Sequence, residues 1–233
     1  MKETHIIAEM AWGHDGSISQ AIEILKAAKN SGANSFSIHL TDVPNYMVNY
    51  YGSGEGKVSE GREDLDIYKY LEDINISCEG WQELAIVAEE INIDLCVMPN
   101  DIQSLEFSEK EINPKYYVVS PACFAEDNML EAIAKTKKKT FLRIGGAYLA
   151  EIESAIGIFR KFNNNQIVLL HGFQNYPTKI EETDLSLLKS LKDIFDVEVG
   201  LADHIDGGSP FAKIIPILSL PYGATYIEKH ITL

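Results

Sequence analysis

The sequence predicts an α/β fold of the TIM (β/α)8 barrel type, and three observations support this prediction. Eight short apolar segments recur along the 233 residues, separated by stretches with helical spacing. Most of these segments are almost uniformly apolar, which is typical of parallel strands that are buried on both faces. Polar side chains follow directly at their ends, where a barrel places its active site. A doubly wound open sheet is the alternative architecture.

Four strands are predicted in the first half of the chain, at residues 6–10, 35–40, 94–98 and 116–120. Ser17 and Ser19 can cap the helix after the first strand, and Gly32 can end it. Ser77 opens another helix, which carries apolar residues at helical spacing. Residues 41–74 form a long connection, and a connection of this length usually acts as a lid or is partly disordered.

The second half of the chain has the same pattern, with strands predicted at residues 140–144, 166–171, 199–203 and 225–230. Helices are predicted at 128–135, at 149–162, from Thr183 to about 194, and from Ser209-Pro210, where the missing N–H of proline costs nothing. We expect one domain over residues 1–233. The chain stops at Leu233, so we expect the eighth helix to be missing from it.

Composition narrows the class of protein. The formal net charge of −15 argues against partners that need a basic surface, namely nucleic acid and anionic membranes. Three widely spaced cysteines without a CxxC motif indicate reduced thiols. The N-terminus has no apolar run of signal-peptide length, and no segment has the length of a membrane span. We therefore expect a cytoplasmic protein.

Polar side chains occur at the predicted carboxyl end of every strand. Such groups are costly in a core unless they are satisfied, so their shared position indicates one common site. In strand order they are Glu9 and His14, Ser37 and His39, Asn100 and Asp101, Ser120, Arg143, His171 with Asn175 and Tyr176, Asp203 and His204, and Glu228 and His230.

Two histidines on neighbouring strand ends, His204 and His230, are candidate ligands for a divalent metal ion such as Mn²⁺. Alternatively, each is an ordinary hydrogen-bonded histidine. Glu228 lies two residues before His230, so both side chains point to the same face of the strand. It could orient a substrate or belong to an ion pair inside the barrel.

Arg143 is the strand-end cation that we place inside the barrel. A guanidinium group suits bidentate recognition of a carboxylate or phosphate, but Arg143 could instead pair with Glu9 or Glu228. Glu9 is then either an acceptor for a substrate hydroxyl or the partner of Arg143. His39 could be a third metal ligand, a proton carrier or a satisfied interior histidine.

Aromatic residues in the predicted loops suit either of two roles. They could stack on a sugar, or they could cover the mouth of the barrel. They are Trp12, Tyr46, Tyr50 and Tyr51.

Several segments resemble the sialic acid synthase family, which includes N-acetylneuraminate synthase and its legionaminic and pseudaminic relatives. The matching segments keep their order along the whole chain, and the NYPT and IEKH segments are the most specific. They are IIAE at 6–9, HDG at 14–16, the stretch from His171 through NYPT at 175–178, GLADH at 200–204 and GATYIEKHITL at 223–233.

The resemblance implies a TIM barrel that condenses phosphoenolpyruvate with an N-acetylmannosamine-type aminosugar to a nonulosonic 2-keto acid. It implies that His204 and His230 bind a divalent ion, Mn²⁺ or alternatively Mg²⁺. Because family members pair as dimers, it also implies a possible homodimer. We expect this chain to lack the C-terminal antifreeze-like domain of the family. Together with the strand-end positions, the resemblance predicts three catalytic residues and six substrate-binding residues. The catalytic residues are Glu9, Glu228 and His39, and the substrate-binding residues are Arg143, Ser120, Asn175, Tyr176, Asn100 and Asp203.

The departures from the family pattern fall mainly on the phosphoenolpyruvate side. They are Ser37 and Tyr117 at family lysines, Ala122 at a family glutamate, Val97-Met98 at a family Ser-Thr pair, and Ala202 at a family serine. Losing a charge-assisted contact costs roughly 1.5–3 kcal/mol, and Arg143 could restore one such contact. Three hypotheses therefore stay open: a synthase with a rebuilt anion site, a metal-dependent aldolase, lyase or isomerase with another donor, and a non-catalytic module.

Overall fold

In the computed structural model, which describes residues 3–47 and 67–233, eight parallel strands close into a barrel. Each strand pairs with the next along the chain, and β8 pairs with β1. The TIM-barrel prediction is confirmed, and the open sheet is excluded because the ring of pairing is complete. The strands are β1 (His5–Glu9), β2 (Ser35–Leu40), β3 (Asp94–Pro99), β4 (Tyr116–Val119), β5 (Lys139–Arg143), β6 (Ile167–His171), β7 (Glu198–Asp203) and β8 (Ala224–His230).

Helices surround the barrel and connect its strands. The described α-helices are α1 (Ile18–Asn30), α2 (Val43–Tyr46), α3 (Ile67–Ile74), α4 (Cys78–Glu90), α5 (Ile102–Phe107), α6 (Asp127–Lys135), α7 (Leu149–Lys161), α8 (Ser186–Phe195) and α9 (Phe211–Ser219). None of the helices in the described ranges combines the length and the apolar character that crossing a membrane requires.

Two of the predicted helix caps are confirmed and one is wrong. The hydroxyl of Ser17 accepts a hydrogen bond from the backbone N–H of Gln20, and Ser77 does the same for Gly80. Thr183 does not cap α8, which begins at Ser186. The carbonyl of Thr183 instead lies 2.8 Å from Nε2 of His171 and accepts its hydrogen bond, so this residue belongs to the preceding loop.

The hydrophobic residues form two main layers. The larger layer lies between the strands and the surrounding helices, and it includes Phe36, Leu84, Leu142 and Phe159. The smaller layer fills the barrel interior and consists of Ile7, Cys96, Met98, Val118, Phe141, Val168, Leu170, Ala202 and Tyr226. Inward positions alternate along each strand, so the inward residues nearest the carboxyl ends form a layer above this apolar plug.

The turn after β1 contains a buried histidine, and we predict that it makes the fold sensitive to acid. His14 is 3% exposed, its ring packs edge-on against Trp81, and its Nδ1 accepts a hydrogen bond from the N–H of Gly16. Burial lowers the pKa of His14 to about 4. Below pH 6.5 the unfolded chain therefore binds a proton that the folded chain does not, and stability falls until about pH 4.

The measurement is chemical unfolding of the wild type and His14→Asn between pH 7.5 and 4, because asparagine keeps an acceptor but does not titrate. We expect the wild type to lose on the order of 1–3 kcal/mol more than the variant over this interval. Parallel stability curves for the two proteins would contradict the assignment.

Candidate active site

A cavity of about 650 Å³ opens at the carboxyl ends of the strands, where a TIM barrel carries its active site. Its walls come from the ends of β1, β2, β5, β7 and β8, from the loop after β6 and from α3. The lining residues are Met10, Ala11, Trp12, Gly13, His39, Tyr70, Arg143, Tyr176, Asp203, His204, Ile205, Gly207, Lys229, His230, Ile231 and Thr232. Seven residues predicted from the strand ends and loops thus share one cavity: Trp12, His39, Arg143, Tyr176, Asp203, His204 and His230.

His204 is held in place by the loop that follows β6. Its Nδ1 lies 2.8 Å from the carbonyl oxygen of Phe173, so this nitrogen carries the proton and donates it. Its Nε2 keeps a lone pair and lies 3.2 Å from the hydroxyl of Tyr176. Thr178 of the same loop donates its backbone N–H to the carbonyl of His204, 2.9 Å away. The NYPT segment therefore fixes both the ring and the backbone of this histidine.

His230 faces His204 across the cavity, with 5.2 Å between the ring centroids. The ring of Tyr176 lies 4.3 Å from that of His204 and 5.6 Å from that of His230. Burial lowers the pKa of His204 to about 4, although the bond to Phe173 opposes this shift. Burial also lowers the pKa of His230. Both rings are therefore neutral near pH 7, which is the form that binds metal ions.

These two imidazoles fit an open metal site rather than a closed one. Within the part of the chain that the structure describes, no three His, Cys, Asp or Glu side chains converge as a complete metal-binding group. Two protein nitrogens would leave several positions of a divalent ion to substrate and water. The carbonyl that orients His204 is the kind of second contact that metal-binding histidines have.

Arg143 forms a buried ion cluster with Glu9 and Glu228 at the floor of the cavity. Its Nη2 lies 2.9 Å from Oε2 of Glu9 and 2.6 Å from Oε1 of Glu228. All three side chains are at most 5% exposed. Neither contact has hydrogen-bond alignment, and within the described residues Nε of Arg143 has no hydrogen-bond partner. Of the two open alternatives for Arg143, the structure shows the pairing with both carboxylates.

The net charge of the cluster formed by Arg143, Glu9 and Glu228 is close to zero or negative. Burial favours the neutral form of Glu9, but Arg143 and His39 outweigh it and hold the pKa of Glu9 well below its usual range. Burial raises the pKa of Glu228 to about 7, against the opposing charge of Arg143. The guanidinium charge is thus offset by one full carboxylate and part of a second. Arg143 lines the cavity, but it offers a substrate anion little net positive charge.

His39 links this cluster to the cavity. Its Nε2 lies 2.6 Å from Oε1 of Glu9, so Nδ1 is the ring nitrogen left for a ligand. Ser37 pairs with Glu9 in the β1–β2 register and therefore lies on the same face of the sheet. Its hydroxyl is buried and has no hydrogen-bond partner among the described residues. The position at which the family has a lysine thus holds a small neutral side chain.

The second family lysine position, Tyr117, does not face the barrel interior. Its hydroxyl lies 2.8 Å from Oγ of Ser108 and donates to Oε1 of Glu109, which places the side chain among the surrounding helices. Val118 is the residue of β4 that lies in the interior layer. In this structure, the side chain at position 117 therefore points away from the cavity.

Lys229 lines the cavity but was not among the predicted site residues. Its Nζ contacts Oδ2 of Asp203, which is the residue directly opposite in the β7–β8 register. The other carboxylate oxygen of Asp203 accepts a hydrogen bond from the N–H of Ile205. The signal in the sequence was the IEKH segment itself, in which Lys229 separates two residues that were predicted for the site.

Three predicted substrate-binding residues do not line the cavity that contains the histidines. Ser120 accepts a hydrogen bond from the N–H of Ala122 and caps the helical turn after β4. The side-chain amide of Asn100 donates to Oγ1 of Thr41. Asn175 is exposed in the loop after β6, beside Tyr176.

Other residues that the sequence marks as site candidates lie elsewhere. Tyr46 packs near Val43 and Leu71 at one side of the barrel mouth. Tyr50 and Tyr51 lie outside the described residues. His171 is buried below the loop that follows β6, with its ring hydrogen-bonded to the carbonyl of Thr183.

The fold and the site together define a TIM-barrel protein with a pair of neutral histidines above buried carboxylates at its carboxyl-terminal mouth. The family model of the NeuB family matches residues 23–233, and the chain belongs to that family. The resemblance seen in the NYPT and IEKH segments is thereby confirmed.

Named relatives and a solved structure support the same assignment. The chain is 31% identical to pseudaminic acid synthase from Campylobacter jejuni over all of its own length and 66% of that protein. It is 29% identical to N,N'-diacetyllegionaminic acid synthase from the same species, of which it spans 69%. A crystal structure of N-acetylneuraminic acid synthetase from Leptospira borgpetersenii, in complex with citrate, superposes with a TM-score of 0.84 at 25% identity, over 99% of this chain and 74% of that one.

Proposed function

We propose that this chain is the barrel of a synthase that condenses phosphoenolpyruvate with an open-chain aminosugar of the N-acetylmannosamine type. One water molecule is consumed, the product is a nonulosonic 2-keto acid, and inorganic phosphate is released. The observation that carries the proposal is the pair of neutral histidines, His204 and His230, facing one cavity in a chain of the NeuB family. Relatives of similar sequence are named as synthases of pseudaminic and legionaminic acid.

His204 and His230 would hold a divalent ion, Mn²⁺ or Mg²⁺. When bound, that ion would supply Lewis-acid polarisation of the sugar aldehyde. Tyr176 lies against both histidine rings and would orient the sugar. His39 lines the cavity while Glu9 contacts its Nε2, an arrangement that suits a proton carrier next to the reacting atoms.

The ion cluster at the cavity floor favours a second candidate, an aldolase-type reaction whose donor carries no phosphate. Among the described lining residues, the cations are Arg143 and Lys229, and each contacts at least one carboxylate. A phosphate group would therefore meet little uncompensated positive charge. A donor of the pyruvate class carries a single negative charge, so it would need less positive charge from the protein.

The two candidates differ in what they release. We expect inorganic phosphate to form only when the protein, Mn²⁺, phosphoenolpyruvate and an N-acetylmannosamine-type sugar are all present. A phosphate assay measures this release, and mass spectrometry measures the 2-keto acid. Formation of a 2-keto sugar acid from pyruvate but not from phosphoenolpyruvate would contradict the synthase function and support the second candidate. No product from either donor would contradict both.

A further inference from the structure

We infer that Lys229 is a positioning residue, whose ion pair with Asp203 sets the spacing between His204 and His230. This inference rests on the proposed metal site. The pair lies one residue before each histidine, on the two neighbouring strands that carry them. The carboxylate of Asp203 is 1% exposed and the side chain of Lys229 is 29% exposed, so the contact is largely shielded from water.

The backbone pairing shows why the two histidines need such a link. The β7–β8 register ends at the pair of Asp203 and Lys229, so His204 lies beyond the last rung. His230 pairs with Glu9 of β1 on its other side. The strand ladder therefore does not connect the backbone of His204 to that of His230.

Each histidine is instead anchored to a different neighbour. The ring of His204 donates to Phe173, and its carbonyl accepts from Thr178, so this residue follows the loop after β6. The backbone that leaves His230 is joined to β1, because the N–H of Ile231 donates to the carbonyl of Glu9. Ring contacts join the two segments at the histidines themselves and at Tyr176, and the ion pair adds a charged contact directly beneath them, between the residues that precede the histidines.

Asp203 is suited to this task because both of its oxygens are engaged. Oδ2 contacts Lys229, and Oδ1 accepts the N–H of Ile205, so the carboxylate spans the residues on either side of His204. Metal–ligand distances tolerate changes of only about 0.2 Å. A small separation of the two strand ends would therefore weaken a bound ion without unfolding the barrel.

The experiment compares Mn²⁺ affinity in the wild type, Lys229→Met, Lys229→Arg and Asp203→Asn by calorimetry, with electron paramagnetic resonance of the bound ion as a second readout. We expect Lys229→Met and Asp203→Asn to weaken Mn²⁺ binding about 10- to 100-fold, and Lys229→Arg to restore most of it. Lys115→Met is the matched control, because Lys115 forms a 2.7 Å ion pair with Asp94 at the opposite end of the barrel.

The control should leave Mn²⁺ affinity unchanged, and thermal melting in the presence of a chelator shows how far each variant is destabilised. Asp203→Asn is nearly isosteric and keeps the test informative if Lys229→Met does not fold. If both Asp203→Asn and Lys229→Met bind Mn²⁺ with wild-type affinity, the inference is overturned, but the proposed metal site is not. A wild-type protein that binds no Mn²⁺ would overturn the proposed metal site and the inference with it.

Discussion

Replacing Arg143 by methionine is expected to lower the free energy of unfolding by about 3–5 kcal/mol at pH 7. The substitution keeps a long apolar stem but removes the only described cation between Glu9 and Glu228, both of which are at most 1% exposed. Two buried carboxyl groups would then face each other without a compensating charge. Urea unfolding of the wild type and the variant measures the difference.

Arg160→Met is the control for the loss of an arginine. Arg160 lies on the exposed face of α7 and donates one hydrogen bond to the carbonyl of Phe195, so its replacement should cost about 1 kcal/mol or less. Adding Glu228→Gln to Arg143→Met should recover part of the lost stability, because the double variant no longer buries the carboxyl group of Glu228 without its partner Arg143. A loss in Arg143→Met no larger than that in Arg160→Met would show that the cluster does not stabilise the fold.

The balance of charge around Arg143 also bears on the choice of donor. A guanidinium that is needed to balance two carboxylates is not free to bind a phosphate of its own. If Arg143 proves essential for folding, variants of Arg143 that fail to bind phosphoenolpyruvate say nothing about the donor. Binding then has to be measured in the intact chain, with product release as the readout.

The sequence predicts the barrel because the relevant signal is local. Each strand is a short apolar run, and its carboxyl end is marked by a polar residue such as Glu9, Arg143 or Asp203. The observed strand ends differ from the predicted ones by at most one residue, as in β4, where Ser120 caps the next turn instead of extending the strand. Such shifts arise because a turn takes over the backbone groups at the end of the strand.

The partners of the site residues could not be predicted in the same way. Glu9, Arg143 and Glu228 come from β1, β5 and β8, and whether their side chains meet depends on the tilt and stagger of the closed barrel. The sequence therefore left Arg143 with two roles. Lys229 was missed for a related reason, since strict alternation places it on the opposite face from Glu228 and His230. The cavity extends between the loops beyond β7 and β8 and so reaches that side of the strand end.

The second large effect is expected for the histidine pair. His204→Ala and His230→Ala should each weaken Mn²⁺ binding by at least about 100-fold, which corresponds to ~2.8 kcal/mol. Condensation activity should fall with it, because the metal that polarises the aldehyde is no longer held. Calorimetric titration of Mn²⁺ measures the first effect, and product formation measures the second. His171→Ala serves as the control, since His171 lies outside the lining of the cavity and bonds to Thr183.

The two variants should differ in stability, and this difference separates the role in metal binding from the role in folding. His204 is 6% exposed and holds the loop after β6 through Phe173, so His204→Ala should also lower the melting temperature. His230 has a larger exposed fraction than His204, so His230→Ala should lose the metal with little change in melting temperature. Retained Mn²⁺ affinity in His230→Ala would contradict the two-histidine site. If His204→Ala alone loses both metal and stability, the loop that carries Tyr176 explains the loss without any metal bond to His230.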